Sequence, residues 1–194
     1  DLGALNITNF KEFSEGLARV QVNSANWGFI DTEGNLAIDA RFLKVGDFSA
    51  GLAWARVGEK QDGYIDKTGK VVIDPKYITV KDFDPVSEIA LVKNMSGQWL
   101  YINKEGTELQ VDAKKYNDFR EGLCAINKLS NPDMYGFIGK DGKWIIEPKY
   151  EGTSDFNNGV CTVKVNYLWG VIDKQGNFII EPKYAALHDF ALVK

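Results

Sequence analysis

With 194 residues, 44% hydrophobic and 12% aromatic, the chain can bury a substantial core as one or two domains or as a repeat array. Its 23 Lys and Arg against 27 Asp and Glu leave a net charge of -4, which argues against a general nucleic-acid binder and against an anionic membrane surface. No run approaches the roughly 18 apolar residues of a membrane helix, no charged-then-apolar signal segment opens the chain, and a start at Asp1 rather than Met is expected of a processed or shortened form.

The first predicted strand, Leu17 to Val22, alternates Ala18, Val20 and Val22 with Arg19 and Gln21, the period-two signature of a half-buried strand. A second strand carries Trp27-Gly28-Phe29-Ile30, and a third runs from Leu36 to Ile38. Between them lies the turn Asp31-Thr32-Glu33-Gly34. Asp at its first position can accept a hydrogen bond from the backbone two residues on, and Gly at its fourth takes a positive φ without a Cβ penalty. This is hairpin chemistry with a G1-type bulge.

The same turn recurs at Asp66 to Gly69, Asn103 to Gly106, Gly139 to Gly142 and Asp173 to Gly176. Asp-Phe pairs keep the same beat at Asp47-Phe48, Asp82-Phe83, Asp118-Phe119, Asp155-Phe156 and Asp189-Phe190, with Phe13 in the first place. These phenylalanines recur every 34 to 37 residues, within the range of stacked repeat architectures. The third strands of the later units are Val71 to Ile73, Trp144 to Ile146 and Phe178 to Ile180, and Pro182 is expected to close its strand or to lie at an edge. No segment shows helical periodicity over two or more turns.

The predicted fold is therefore all-β: tandem repeats of about 35 residues, each a three-stranded antiparallel meander, stacked as an elongated twisted β-solenoid. The alternative is a five-bladed β-propeller-like ring, disfavoured because blades use four strands. One array fills residues 1–194, with units 13–47, 48–82, 83–118, 119–155 and 156–189, and residues 190–194 open a sixth unit or cap.

Gly-Leu-Ala in an opening strand, Trp-Gly-Phe-Ile-Asp, a turn glycine, and Pro-Lys-Tyr ahead of Asp-Phe together resemble the WG-repeat family of bacterial tandem β-repeats, from about Phe10 to Lys194. The departures are Asp62-Gly63, Trp99-Leu100 and Tyr135-Gly136 where Trp-Gly belongs, and an insertion near Pro85 to Glu88. The resemblance implies an extracellular, periplasmic or cell-surface setting in a bacterium and no general enzymatic activity.

Aligned by repeat, Trp27, Trp99, Trp169 and Tyr135 share one column, and Trp144 shares another with Leu36, Val71 and Phe178; aromatics at a structural period read as packing. Cys124 and Cys161 take the small inward position of Ala18, Ala53 and Ala90, which points to buried free thiols. Trp54 stands on the outward face of its strand in the column of Arg19, Leu91, Ala125 and Thr162. Trp54 and Leu91, with Arg19, Arg56 and Lys93, are the candidate binding residues.

Asp39, Asp74, Asp112, Glu147 and Glu181 form an acidic column followed two residues on by Arg41, Lys76, Lys114, Lys149 and Lys183, which reads as a ladder of exposed ion pairs. The Asp before each Phe is expected to accept local backbone hydrogen bonds in the connector. No calcium-loop pattern or phosphate loop is present, and His188 is the only histidine, so no metal, cofactor or catalytic set is assigned.

Two functions follow. The first is a noncatalytic binding or scaffold module that presents its repeat surface to a protein partner. The second is a carbohydrate- or cell-wall-directed domain using aromatic platforms and paired carboxylates. Exposure of Trp27, Trp99 and Trp169 separates them. Neither nucleic-acid binding nor membrane insertion is expected.

Overall fold

The computed structural model describes residues 6–58 and 60–187, and these form strands and turns with no helix. They divide between two compact units, Asp1–Leu109 and Gln110–Lys194. His188, the pair Asp189-Phe190 and the expected sixth unit lie outside the described residues.

The first unit holds three sheets. Sheet I contains β1 (Ile7–Ser14), β2 (Leu17–Val22), β3 (Asn26–Asp31) and β4 (Leu36–Phe42); sheet II contains β5 (Lys44–Val45), β6 (Leu52–Arg56), β7 (Asp62–Asp66) and β8 (Val71–Tyr77). Sheet III contains β9 (Thr79–Val80), β10 (Ala90–Lys93), β11 (Trp99–Ile102) and β12 (Glu108–Leu109). The second unit holds sheet IV, with β13 (Cys124–Lys128), β14 (Asn131–Ile138) and β15 (Trp144–Tyr150), and sheet V, with β16 (Gly152–Thr153), β17 (Val160–Val165), β18 (Leu168–Asp173) and β19 (Phe178–Tyr184). Neighbouring strands are antiparallel in chain order, and among the described residues no sheet closes on itself.

The three-stranded meander therefore needs correction, because four of the five sheets have four strands. In sheets II, III and V the extra strand is a two-residue piece of the connector, whereas in sheet I it is the eight-residue β1. Val45 pairs with Ala55, Val80 with Val92 and Thr153 with Val163. Two residues show no alternation to read, so pairing in space is their only signature. Strand number consequently gives no ground for preferring a solenoid over blades.

The turns form as their chemistry dictates. Asp31 accepts from the backbone N–H groups of Glu33 and Asn35 at 3.0 and 2.8 Å, and Asp173 from those of Gln175 and Asn177 at 2.9 Å each. Asn103 does the same with a neutral amide oxygen. Where Gly139 opens the turn, Asp141 accepts from Lys143 instead.

The Trp-Gly glycine is fixed by the neighbouring strand. Trp27 faces Phe42 while Phe29 faces Ile38, so β4 bulges across Gly28; the same register break occurs opposite Gly63, Gly136 and Gly170. A Cβ on Gly136 would lie 2.5 Å from the carbonyl oxygen of Ile146 and 2.7 Å from the nitrogen of Pro148. Pro75, Pro148 and Pro182 sit in these bulges on edge strands, where a missing N–H costs no ladder bond. Pro182 thus lies inside β19 and does not close it. In sheet III, Leu100 replaces the glycine, and β12 has only Glu108 and Leu109 paired.

Successive sheets pack face to face within each unit. Leu17, Phe29, Ile38 and Phe42 of sheet I meet Val45, Phe48, Ala53, Ala55 and Ile65 of sheet II. Tyr64, Ile73 and Tyr77 of sheet II meet Val80, Phe83, Ala90, Val92 and Ile102 of sheet III. In the second unit, Phe137, Ile146 and Tyr150 meet Phe156, Cys161, Val163 and Ile172. The phenylalanine of Asp-Phe packs at a steep tilt against an aromatic of the preceding sheet, with ring centroids 4.8 Å apart for Phe29 and Phe48, 4.8 Å for Tyr64 and Phe83, and 5.0 Å for Phe137 and Phe156.

Polar fasteners repeat with the same logic. Lys67 reaches Glu15, whose carboxylate also accepts from the Gly51 N–H; Lys174 reaches Glu121, which accepts from Asn158 and Gly159. Ser14 and Ser49 donate to the carbonyls of Phe48 and Phe83 at 2.6 Å.

Candidate functional site

The five sequence-predicted binding residues are all engaged within the first unit. Arg19 clasps Asp47 of sheet II, with Nε 2.6 Å from Oδ1 and Nη2 2.8 Å from Oδ2, and donates from Nη1 to the carbonyl of Val45. Trp54, one repeat on, turns its indole N–H toward Asp82 of sheet III. Its ring lies over Gly46, where a Cβ would be only 2.1 Å from Nε1. Leu91 is 7% exposed, which corrects its assignment to a surface patch. Arg56 grips the buried Asp62 through Nε and Nη2 at 2.6 and 2.8 Å, and this bond raises the Arg56 pKa. Lys93 places its ammonium 5.6 Å from the centre of the Trp99 ring. Arg19 and Trp54 are thus inter-sheet fasteners, and Asp47 and Asp82 serve the preceding sheet rather than only their own connectors.

The remaining candidates separate similarly. Trp27, Trp99, Trp169 and Tyr135 are half-buried, with Trp27 against the core of sheets I and II and Trp169 lying across Gly152 and under Lys164. The deeper aromatics are Phe29, Tyr64, Tyr101 and Phe137, each two residues beyond that column. Trp144 is half-buried and Phe178 exposed. Asp39, Asp74, Asp112, Glu147 and Glu181 are exposed. The ion-pair ladder is replaced by cation-ring contacts, with Arg41, Lys76, Lys149 and Lys183 lying 5.2 to 5.5 Å from the ring of the residue that follows each. Cys124 and Cys161 are buried free thiols, and burial pushes the Cys161 pKa up to about 11. Among the described residues, no group of three or more His, Cys, Asp or Glu side chains is placed to hold a metal ion.

The feature that sequence reasoning missed is an open face on sheet I. A groove of about 560 Å³ is lined by Ile7, Phe10, Phe13, Val20 and Ile30 and rimmed by the turn from Asp31 to Gly34. Phe10 and Phe13 are 70% and 51% exposed. Their repeat equivalents, Val45 and Phe48, are 3% and 1% exposed, because sheet I packs on them. A spacing count treats Phe13 and Phe48 as the same residue; only packing shows that one of them is uncovered. The rim is acidic, and the turn N–H groups, that of Asn35 foremost, hold the Asp31 pKa below its ordinary value.

No curated protein matches the chain in sequence. Among solved structures, Hsv2 of Kluyveromyces lactis is similar at 7% identity and a TM-score of 0.43, over 87% of this chain and 62% of that one. BamB of Moraxella catarrhalis is similar at 13% identity and a TM-score of 0.37, over 86% of this chain and 71% of that one. The chain thus spans less than two thirds of the Hsv2 chain. The family model described as WG containing repeat matches residues 27–60, 63–99, 135–169 and 169–191, well over half of the sequence. With the Trp-Gly glycine, the bulge that crosses it and the Asp-Phe stack recurring from sheet to sheet, the chain belongs to the WG containing repeat family.

Proposed function

We propose that this chain is a noncatalytic binding or scaffold module whose contact face is the open face of sheet I, and that its partner is a protein. One observation carries the reading: Phe10 and Phe13 stand exposed around an apolar groove at positions whose equivalents are sealed under a neighbouring sheet. An uncovered apolar face rimmed by polar turns is characteristic of protein-contact sites. The noncatalytic part of the proposal is supported by the occupation of conspicuous polar groups in inter-sheet bonds and by thiols buried beneath the surface. An extracellular or periplasmic setting, as the family resemblance implies, belongs to the same proposal.

The reading is tested by selecting a random peptide library on the immobilised protein, with counter-selection on a Phe10→Ser, Phe13→Ser variant. Enrichment of apolar, strand-forming peptides that ignore the variant is the expected result. Peptides that bind the variant equally, or tryptophan emission that shifts with a glycan while no peptide is enriched, would overturn it.

A further inference from the structure

We infer that the open face of sheet I is a socket for the outer strand of sheet V from a second copy of this chain, so that copies associate head to tail. The inference rests on the proposed contact face and names what fills it.

The socket is defined by the chain's own repeats. At the interface of sheets I and II, the receiving residues are Val45, Phe48, Ala53, Ala55 and Ile65, with Gly69 in the turn. Thirty-five residues earlier stand Phe10, Phe13, Ala18, Val20, Ile30 and Gly34, the equivalent positions in the same order on sheet I, with Phe10 in place of Val45 and Val20 in place of Ala55. Phe10, Phe13, Val20 and Ile30 line the groove together with Gly34 and Ile7, with Val20 and Ile30 as its buried floor and Phe10 and Phe13 as its exposed walls. The plug is equally well defined. Ile38 and Phe42 of β4, Ile73 and Tyr77 of β8, and Ile146 and Tyr150 of β15 are all buried under the following sheet. Their equivalents in β19 are Ile180, half-buried, and Tyr184, 41% exposed against 1% for Tyr150.

The plug already has its docking geometry. Its register break opposite Gly170 is the one seen in β4, β8 and β15. Lys183 lies 5.4 Å from the centre of the Tyr184 ring, as Arg41 lies 5.2 Å from that of Phe42. Little ordering cost therefore remains for binding. Turn glycines receive the isoleucine of the preceding sheet: a Cβ on Gly69 would meet Ile38, one on Gly106 would meet Ile73 and one on Gly176 would meet Ile146. Gly34, which lines the groove, is the equivalent turn glycine for Ile180.

Charge favours the pairing as well. Arg41 donates to the carbonyl of Gly69 at 2.8 Å, and Lys183 occupies its column. In sheet I, the turn that would meet Lys183 carries Asp31 and Glu33, with Thr32 where Lys67 stands in sheet II. The Lys67 to Glu15 fastener has no counterpart in this contact, since Thr32 replaces the lysine and Asn158 the glutamate. The association is accordingly weaker than the internal interfaces and reversible. Socket and plug are different surfaces, so the contact is heterologous and builds rings or open chains rather than a two-fold dimer.

The test is light scattering coupled to size exclusion, with sedimentation velocity, across a wide range of protein concentration. The unaltered chain is expected to form dimers and larger species as concentration rises. Phe13→Asp, a socket variant, and Tyr184→Asp, a plug variant, should each weaken association by more than about tenfold. Circular dichroism confirms that each is folded, and Phe10→Asp, at the most exposed socket residue, repeats the socket test with least risk to the core. Mixed, the socket and plug variants should form a dimer and nothing larger, because one intact socket meets one intact plug. A chain that stays monomeric at every concentration overturns the inference, as does a mixture that forms no dimer. If the chain is monomeric yet library peptides still require Phe10 and Phe13, self-association is lost and the binding-face reading stands.

Discussion

Trp54 turns its indole N–H toward Asp82 of the next sheet, in the place where Arg19 of the preceding repeat clasps Asp47. Two chemically unlike donors in one column thus do the same work on the Asp of the Asp-Phe pair. The acceptors differ in their charge balance. Asp47 faces a guanidinium, whereas Asp82 keeps part of its surface in water while burial of its carboxyl group and the nearby Asp47 charge raise its pKa.

That shift predicts a pH dependence. A carboxyl group whose pKa is raised on folding holds its proton to higher pH in the native state, so its contribution to stability falls as pH rises through the window above the ordinary 3.8. Asp82→Asn keeps an oxygen for the indole and removes the ionisation. The variant should be at least as stable at neutral pH, gaining no more than about 0.5 kcal/mol because water screens the charge. The urea midpoint of the variant should rise relative to that of the unaltered chain as pH increases from acid to neutral. A difference that shrinks or reverses as pH rises would count against this account.

Gly136→Ala should cost about 3 kcal/mol, since its Cβ meets backbone rather than a movable side chain. Gly51→Ala serves as the contrast. It faces open space, so only its positive φ of 82° is unfavourable, at about 1 kcal/mol. Denaturant unfolding of the two variants measures the difference, and equal costs would remove the bulge as the reason for the glycine.

The pair of Arg56 and Asp62 should respond asymmetrically. Arg56→Ala leaves a carboxylate whose side chain is only 4% exposed without its cation, costing about 3 kcal/mol. Asp62→Ala leaves an arginine that is 23% exposed and can turn toward water, costing about 1 kcal/mol. Thermal or urea unfolding of both variants checks the order, and a larger loss for Asp62→Ala would contradict it.

Cys161 should be inert to thiol reagents at mildly alkaline pH while the chain is folded, because burial raises its pKa to about 11 and the thiolate is the reactive form. Reaction should follow global unfolding as denaturant is added. Cys161→Ala should lose about 1 kcal/mol, as its column already accepts Ala18 and Ala53. Rapid labelling in native buffer would show that the site opens independently.

Local chemistry made the turns legible. Asp31, Asp66 and Asp173 bond backbone groups two and four residues on, and the glycine that ends each turn has a positive φ, so no distant residue is needed to place them. Alternation likewise identified β2, and alignment of the repeats extended it to the small inward column that holds both cysteines. The Trp-Gly glycine was visible as a motif, though its cause, a bulge crossing from the next strand, was not.

Tertiary packing decided the rest. Period two says that Arg19, Trp54 and Leu91 point away from Ala18, Ala53 and Ala90, but not whether that second direction meets water, another sheet or a charged loop. Trp54 met Asp82 and Leu91 was buried, so the expected patch became internal structure. The two-residue strands were equally silent, because a strand that short is defined by its partner. Phe13 and Phe48 are one residue to the repeat and opposites in the fold: what covers a side chain is a property of neighbouring sheets, and no local pattern records it.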